Sequence, residues 1–185
     1  MKKDRPDKYL FDERYCKAKE FHFCYDDSIL DDIFKNKKSG SILDLGCGVS
    51  GLGFALSERG FNYTGVDISR TAIEKLREEA KKRDIKANFV EADLEDYEIN
   101  DEYDIIICNR VLQFLGKDGQ DKVKEIQRKT KKKGINIVDV LINRNISDCD
   151  LKTLYQNWNI LNERHYDMKT IKQQKVKVFY MVVKK

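Results

Sequence analysis

The chain contains little proline and no long apolar run. One proline and ten glycines occur among its 185 residues, and none of them marks a linker between domains. The five cysteines form no C-x-x-C pair, which argues for reduced thiols and against a disulfide framework or a zinc site. No apolar stretch approaches the roughly 20 residues that cross a bilayer, and the charged N-terminus lacks the apolar core of a signal peptide. We therefore expect one globular domain in the cytoplasm.

The charge of the chain is nearly balanced. Lysine and arginine number 36 against 32 acidic residues, which leaves a formal net charge of +4. Two basic clusters, Lys81–Arg83 and Lys129–Lys133, close predicted helices, where cations complement the helix dipole. A nucleic-acid surface needs a larger coherent patch with interleaved aromatic residues, so we do not expect nucleic acid to be a partner.

Apolar segments and helical patterns alternate between residues 41 and 142, which indicates an α/β fold. The apolar segments predict strands at 41–46, 62–66, 87–91, 103–108 and 135–142. The patterns between them predict helices at 51–59, 70–83 and 118–131. Strands that are almost uniformly apolar are typical of a parallel sheet with helices on both faces.

The pattern changes after Ser147. A short helix near 149–156 precedes a strand near 158–166, a polar link at 169–174 and a last strand at 175–183. These two strands indicate a hairpin, which makes the last strand antiparallel. The complete prediction is a Rossmann-like sheet of seven strands, mostly parallel, with helices on both faces.

A glycine-rich turn follows the first strand. Residues 42–53 run Ile-Leu-Asp-Leu-Gly-Cys-Gly-Val-Ser-Gly-Leu-Gly, and Gly46, Gly48 and Gly51 satisfy the dinucleotide pattern G-x-G-x-x-G. Glycine permits a tight turn and a close approach of the backbone to a ligand. NAD is therefore one candidate cofactor. However, Asp44 would repel a pyrophosphate and suits a cationic amino acid group.

Polar residues also close the next three predicted strands. Asp67 ends the second strand, about twenty residues after the glycine turn, where a carboxylate can accept both ribose hydroxyls. Asp93 follows the third strand, within reach of an adenine amino group, and its alternative role is an ordinary helix cap. The fourth strand leads into a loop that begins at Asn109. These positions favour S-adenosylmethionine over NAD.

In this order and at this spacing, the four segments resemble the class I S-adenosylmethionine-dependent methyltransferases, from about Ser41 to the C-terminus. The resemblance implies that Asp44 and the glycines line the methionine portion of the cofactor and that Asp67 holds its ribose. It also implies that Asp93 bonds the adenine amino group and that the loop at 109–111 lies beneath the sulfonium. The implied cofactor contacts are Asp44, Gly46, Cys47, Gly48, Gly51, Asp67, Ile68, Ala92, Asp93, Leu94, Asn109 and Val111.

The loop after the fourth strand narrows the class of acceptor. Methyltransferases that act on exocyclic or amide nitrogens usually carry Asn/Asp-Pro-Pro-aromatic there, whereas this chain has Asn-Arg-Val-Leu-Gln at 109–113. The absence of proline resembles the small-molecule methyltransferases, and no carboxylate cluster indicates a metal site. We predict that Arg110 and Gln113 face a small-molecule substrate.

The C-terminal third carries a narrower resemblance. Residues 154–165 and 179–185 resemble the tail of the tellurite-resistance methyltransferases, in which the histidine matched by His165 is a candidate for substrate binding or catalysis. The next residue there can be arginine, but here it is Tyr166, which removes a bidentate cation for an oxyanion. Arg110 and Arg164 are candidates to replace that charge. The alternative for His165 is a histidine on the strand surface.

The leading hypothesis is methyl transfer from S-adenosylmethionine to a small molecule, such as a thiol or chalcogen compound, by in-line displacement. Methylation of RNA or protein is one alternative, and a non-catalytic cofactor-binding subunit that needs a partner is another. An NAD oxidoreductase ranks below both. The aromatic-rich residues 1–40 are predicted to form a helical segment that either covers the cofactor of the domain at 41–185 or packs on the sheet edge.

Overall fold

The structure is a computed structural model that describes residues 6–17, 23–115, 119–142, 146–169 and 173–185. The strands are β1 (Ser41–Leu45), β2 (Asn62–Asp67), β3 (Asn88–Glu91), β4 (Tyr103–Asn109), β5 (Thr130–Leu141), β6 (Asn159–Lys169) and β7 (Lys175–Lys184). The helices are α1 (Pro6–Lys17), α2 (Asp27–Asn36), α3 (Leu52–Ser57), α4 (Arg70–Lys82), α5 (Gly119–Arg128) and α6 (Asp148–Leu154), with a 3-10 turn at Leu112–Phe114.

The strands form one sheet in the order β3-β2-β1-β4-β5-β7-β6. Strands β1 to β5 pair in parallel, and β7 is antiparallel to both β5 and β6. The predicted Rossmann-like, mostly parallel sheet is therefore confirmed. The chain reverses direction across the sheet between β1 and β4, and ligands of such sheets bind at the carboxyl ends of the strands beside this point.

Each face of the sheet packs its own apolar core. On the α2 face, side chains of α2, α3 and α4 pack against Ile107, Ile137 and Tyr180. On the α5 face, side chains of α5 and α6 pack against Val138 and Phe179. Successive residues of a strand alternate between the two faces. The position of a polar residue along its strand therefore decides which face of the sheet its side chain lies on.

Strand β5 begins earlier than the sequence predicted. Helix α5 ends at Arg128 and not at residue 131, while the predicted start, residue 118, lies outside the described residues. Thr130 already pairs with Tyr103, and the register shifts before the regular pairing resumes at Ile135. Lys133 takes a φ of 63° within this shift. The lysine run thus forms an irregular start of the strand, because the strand pairing overrides the helical pattern.

The N-terminal segment contains two helices ahead of the sheet. The helix predicted at 27–36 is confirmed as α2, and the Asp26 carboxylate caps it by accepting a hydrogen bond from Ser28 N at 2.9 Å. Helix α1 precedes it and packs against α4. Residues 1–5 and 18–22 of this segment, like 170–172 of the predicted polar link, lie outside the described residues.

Candidate active site

The glycine turn after β1 is tightly enclosed. Gly46 and Gly48 have φ values of 76° and 54°, which favour glycine because other residues are strained there. A Cβ atom on Gly46 would collide with the Cγ2 methyl of Val111, and one on Gly48 would lie 2.8 Å from the Tyr15 hydroxyl. The turn therefore lies between the loop that follows β4 and helix α1. These neighbours leave no room for side chains at Gly46 and Gly48.

Asp44 is a buried acid beneath the glycine turn. It is 3% exposed and accepts a hydrogen bond from the Tyr63 hydroxyl at 2.7 Å. Burial raises the pKa of Asp44 to about 7, and the nearby Asp67 adds to the rise, while the Tyr63 hydrogen bond opposes it. A cation at this position would pair with the ionised carboxylate, so the site suits the ammonium of an amino acid.

Asp67 ties the end of β2 to the glycine turn. Its Oδ2 accepts from Gly48 N at 2.8 Å, and its Oδ1 accepts from Ser69 N at 2.9 Å. Burial raises its pKa, although these main-chain donors oppose the shift. The Asp67 carbonyl also accepts from Ala92 N at 2.9 Å, which brings the segment after β3 to the same edge.

The segment after β3 combines a turn with an apolar contact. Asp93 Oδ1 accepts from Glu95 N at 3.1 Å, so the carboxylate caps the turn at 93–97. Leu94 is buried in the core on the α5 face, while Ala92 packs against that core and Ile68 is half-buried. Asp93 thus caps a turn and not the helix considered from the sequence, because the described residues between β3 and β4 form no helix, and its adenine contact stays a prediction.

Cys47 is a packing residue of the turn. Its side chain is 5% exposed, and its Sγ lies against Gly65, where an added Cβ would be 2.9 Å away. Burial raises the pKa of the Cys47 thiol well above its usual range. The protonated thiol therefore helps to shape the turn and offers no charge to a ligand.

The loop after β4 is held by its own side chains. Arg110 has a φ of 55°, and its Nε donates to Asn109 Oδ1 at 2.9 Å. The buried Gln113 donates through Nε2 to the Arg110 carbonyl at 2.6 Å. Gln113 thus supports the loop backbone, while the Arg110 side chain is largely exposed. The substrate contacts predicted for both residues stay predictions.

The structure adds a carboxylate that the sequence analysis did not single out. Asp139 lies near the end of β5, paired in register with Asn109 of β4. It is 2% exposed, and its Oδ2 accepts from the Tyr166 hydroxyl at 2.7 Å. The signal was present, because Asp139 interrupts an apolar strand near its carboxyl end, as Asp44 and Asp67 do.

His165 lies on the other face of the sheet. It pairs in register with Phe179, and its ring packs on that side chain with 4.9 Å between centroids, on the α5 face. Its Nε2 lies 3.0 Å from Asp148 Oδ2 at the start of α6. The structure therefore does not bring His165 together with Asp44, which faces the α2 core. A catalytic role for His165 stays a prediction.

Helix α1 contacts the carboxyl edge of β1, β2 and β4, which is the predicted cofactor edge. Asp12 Oδ1 accepts from Ser69 Oγ at 2.7 Å and from Thr71 N at 3.0 Å, so α1 is bonded to the start of α4. Phe11 packs edge-on against Phe114 of the 3-10 turn, with 5.4 Å between ring centroids. The helix thus contacts both the loop after β2 and the loop after β4.

Together these residues fit S-adenosylmethionine. A buried acid lies under a glycine turn that has no room for side chains, and a second carboxylate closes the neighbouring strand. The two carboxylates can accept hydrogen bonds from an ammonium and from ribose hydroxyls. NAD fits less well, because Asp44 lies where a pyrophosphate would approach the turn.

Comparison with known proteins agrees with this assignment. A family model described as a methyltransferase domain matches residues 36–180. The chain belongs to this family. The resemblance to class I methyltransferases is confirmed, and S-adenosylmethionine is the cofactor.

Curated relatives match a shorter stretch of this methyltransferase. The ubiquinone biosynthesis O-methyltransferase of Rickettsia akari is 32% identical over 100 residues, which are 54% of this chain and 39% of that protein. The cypemycin N-terminal methyltransferase of a Streptomyces species is 34% identical over 83 residues, 45% of this chain and 33% of that protein. The match thus spans about two fifths or less of these relatives' lengths.

Solved structures support the fold over nearly the whole chain. TehB from Haemophilus influenzae has a TM-score of 0.78 at 23% identity, covering 96% of this chain and 66% of that one. The methyltransferase domain has no helix in its described ranges that is long and apolar enough to cross a membrane. The same ranges hold no group of three or more His, Cys, Asp or Glu side chains arranged for a metal.

Proposed function

We propose that this protein transfers the methyl group of S-adenosylmethionine to a small-molecule acceptor. One observation supports this most strongly. The acidic and glycine-rich cofactor edge, built on Asp44 and Asp67, adjoins the Asn109 loop at the carboxyl end of the same sheet. The curated relatives named ubiquinone biosynthesis O-methyltransferases support this class of acceptor.

The location of the basic clusters argues against nucleic acid as the acceptor. Lys81–Arg83 lies at the end of α4, and Lys129–Lys133 lies at the start of β5. Both are therefore at the amino ends of the parallel strands, across the sheet from the glycine turn. A polyanion bound there would be remote from the cofactor edge.

The chain's contribution to catalysis is alignment. When bound, S-adenosylmethionine supplies an electrophilic methyl group on its sulfonium. Asp44 would hold the ammonium, Asp67 the ribose, and the loop at 109–111 would limit the approach to one direction. Holding two reactants in line and excluding water can contribute roughly 7–11 kcal/mol in favourable cases. A thiol or chalcogen compound is the acceptor that the leading hypothesis from the sequence names.

We assign helix α1 the role of a cover over the bound cofactor. Its contacts with Ser69, Thr71 and Phe114 bridge the two loops that flank the cofactor edge. Replacing Asp12 with alanine removes two of these bonds and should speed cofactor release about threefold to tenfold in stopped-flow measurements. Glu13→Gln, one residue along on an exposed position, is the control. Equal release rates in wild type and Asp12→Ala would mean that α1 only packs on the domain.

The ribose assignment gives the first test of the proposed function. Asp67→Ala should weaken S-adenosylmethionine binding at least tenfold in calorimetry, because buried charge-assisted hydrogen bonds are lost. Asp101→Ala, at an exposed position before β4, should leave the affinity unchanged. Incubation with methyl-labelled S-adenosylmethionine and a small-molecule cell extract then tests turnover. Label found only in added RNA or protein would contradict a small-molecule acceptor.

A further inference from the structure

Asp139 carries a buried oxygen that no described residue satisfies. Its Oδ2 is bonded to the Tyr166 hydroxyl, but Oδ1 has no hydrogen-bond partner among the residues that the structure describes. A buried polar atom without a partner costs on the order of 1–3 kcal/mol, so such atoms are rare and often functional. The side chain is 2% exposed, so this oxygen belongs to the interior and not to the solvent-exposed surface.

The position of Asp139 connects it to the cofactor edge. Its carbonyl accepts from Arg110 N at 2.6 Å, so β5 and the loop after β4 are joined at this residue. Asp139 pairs with Tyr180, which packs in the α2 core, and Asp44 accepts its hydrogen bond from Tyr63 of the same core. Asp139 therefore lies on the α2 face, beside the loop predicted to lie beneath the sulfonium.

The charges around Asp139 disfavour an oxyanion. Arg110 Nε is 3.9 Å from Asp139 Oδ2. Arg164 is also near Asp139, but its guanidinium lies 3.8 Å from the centre of the Tyr180 ring and donates to Ser28 Oγ at 2.5 Å. Asp26, at the start of α2, adds a further negative charge to this surface. An anionic acceptor would thus meet two carboxylates, Asp139 and Asp26, each of which already has an arginine within 3.9 Å.

We propose that Asp139 Oδ1 accepts a hydrogen bond and then the proton of the methyl acceptor, which is an O–H, N–H or S–H compound and not an oxyanion such as selenite or tellurite. This inference rests on the proposed function. The acceptor atom forms a bond to the methyl carbon, the carbon–sulfur bond breaks with its electron pair on sulfur, and the acceptor's proton passes to Oδ1. Charge and atoms balance without any further reactant.

Tyr166 acts through Asp139 as a positioning residue. The hydroxyl of this half-buried residue donates to Oδ2 at 2.7 Å, which fixes the carboxylate and leaves Oδ1 for the acceptor. Burial raises the pKa of Asp139 to about 6, and the Tyr166 hydrogen bond and Arg110 oppose that rise. The facing charged and titratable groups are Tyr166 and Arg164 of β6, Arg110 of the loop and Asp26. With the carboxylate as proton acceptor, kcat/KM should rise with pH and level off above about pH 6.

A binding experiment tests the position of Asp139 without a known acceptor. Sinefungin carries an amine where S-adenosylmethionine carries its methyl group, whereas S-adenosylhomocysteine carries neither. The preference for sinefungin over S-adenosylhomocysteine should fall at least fivefold in Asp139→Asn and stay within twofold in the control Asp167→Asn, an exposed residue of β6. An unchanged preference in Asp139→Asn would overturn the assignment. Failure of wild type to bind either compound would instead overturn the proposed function.

A turnover experiment tests the acceptor class. Methyl-labelled S-adenosylmethionine is incubated with cationic, neutral and anionic pools of a small-molecule extract, and separately with sodium selenite and sodium tellurite. We expect label in the cationic or neutral pool, at least thirtyfold lower kcat in Asp139→Asn, and a shifted pH profile with a smaller loss in Tyr166→Phe. Label on selenite, on tellurite or in the anionic pool alone would overturn the inference. Absence of label from the cationic and neutral pools would contradict it as well.

Discussion

Two regions share the carboxyl edge of the sheet but are built differently. In the cofactor half, around β1, β2 and β3, the bonds that shape the site join residues 19 apart in sequence: Tyr63 to Asp44, and Gly48 to Asp67. In the acceptor half, around β5, β7 and β6, Tyr180 bonds to Asp32 across 148 residues, and Arg164 bonds to Ser28 across 136.

This difference indicates which part of the site tolerates sequence changes among related proteins. The turn and its two carboxylates come from neighbouring segments of the chain, although helix α1 reaches them from farther away. The acceptor half depends on how α2 and the C-terminal hairpin meet, so small changes in either alter the surface that the acceptor contacts. The names of the curated relatives are consistent with this, since one is named for ubiquinone biosynthesis and another for the N-terminus of cypemycin.

The largest effect should come from a side chain added to the cofactor half. Gly46→Ala forces a left-handed conformation on alanine and a collision with Val111. The two costs sum to about 2–5 kcal/mol of unfolding free energy, and cofactor binding should be lost. Urea unfolding and calorimetry measure both.

Gly60 provides the matched control for Gly46. It has a φ of 85°, but an added Cβ would meet nothing within 4 Å. Gly60→Ala should therefore cost only about 1–2 kcal/mol and leave cofactor affinity intact. If both variants bind cofactor equally well, the glycine turn is not the cofactor site.

The next largest effect should come from a substitution that destabilises the acceptor half and leaves cofactor binding unchanged. Asp32 is buried and accepts from Tyr180 at 2.8 Å and from Asn162 at 3.0 Å. Asp32→Ala leaves the buried Tyr180 hydroxyl and the half-buried Asn162 amide without this partner and should cost about 2–3 kcal/mol in urea unfolding, whereas the exposed Asp31→Ala should be nearly neutral. Cofactor affinity should change less than twofold in both. A large loss of affinity in Asp32→Ala would show that the two halves are coupled.

The pH dependence of cofactor binding sharpens the comparison. Asp44 has a pKa raised to about 7 by burial, but only its ionised form pairs with an ammonium. Binding must therefore release a proton below pH 7, so the dissociation constant should rise about tenfold per pH unit between pH 7 and 5 and stay flat just above 7. Calorimetry in two buffers of different ionisation enthalpy measures the proton release, which Asp44→Asn should abolish.

The free energy of unfolding of the unliganded protein should decrease as the pH rises, whereas cofactor affinity should increase. The pKa of Asp44 is raised in the folded state, so its contribution favours folding at low pH and is lost as the pH rises through about 7. Proton release that is unchanged in Asp44→Asn would assign the titration to another group.

The smallest effect is expected from His165. It lies on the α5 face, is about half exposed and pairs with Asp148. Exposed pairs of this kind contribute roughly 0–1 kcal/mol to the free energy of unfolding. His165→Ala should change kcat and cofactor affinity less than twofold. A tenfold loss of kcat with unchanged cofactor affinity would instead support the role that the tail resemblance implied.

Most of the cofactor half could be predicted from the sequence, because its signals are local. Asp44, Gly46 and Asp67 stand in short motifs next to apolar strands, and the structure brings them to one edge. The contacts from α1 could not be predicted, since Asp12 reaches Ser69 and Tyr15 reaches Gly48 only after the chain folds back. Asp139 was visible as a carboxylate in an apolar strand, but nothing in the sequence showed that Tyr166 pairs with it.

Local sequence patterns specify the order of the elements, the parallel sheet and the cofactor, because apolar periodicity and glycine turns act over a few residues. Which C-terminal residues face the site depends instead on how distant strands pair. The β6–β7 pairing shifts register between Ile160 and Asn162, and a shift of one residue turns each following side chain to the other face. That register puts Arg164 and Tyr166 beside Asp139 and turns His165 away, and it depends on long-range pairing that no local pattern encodes.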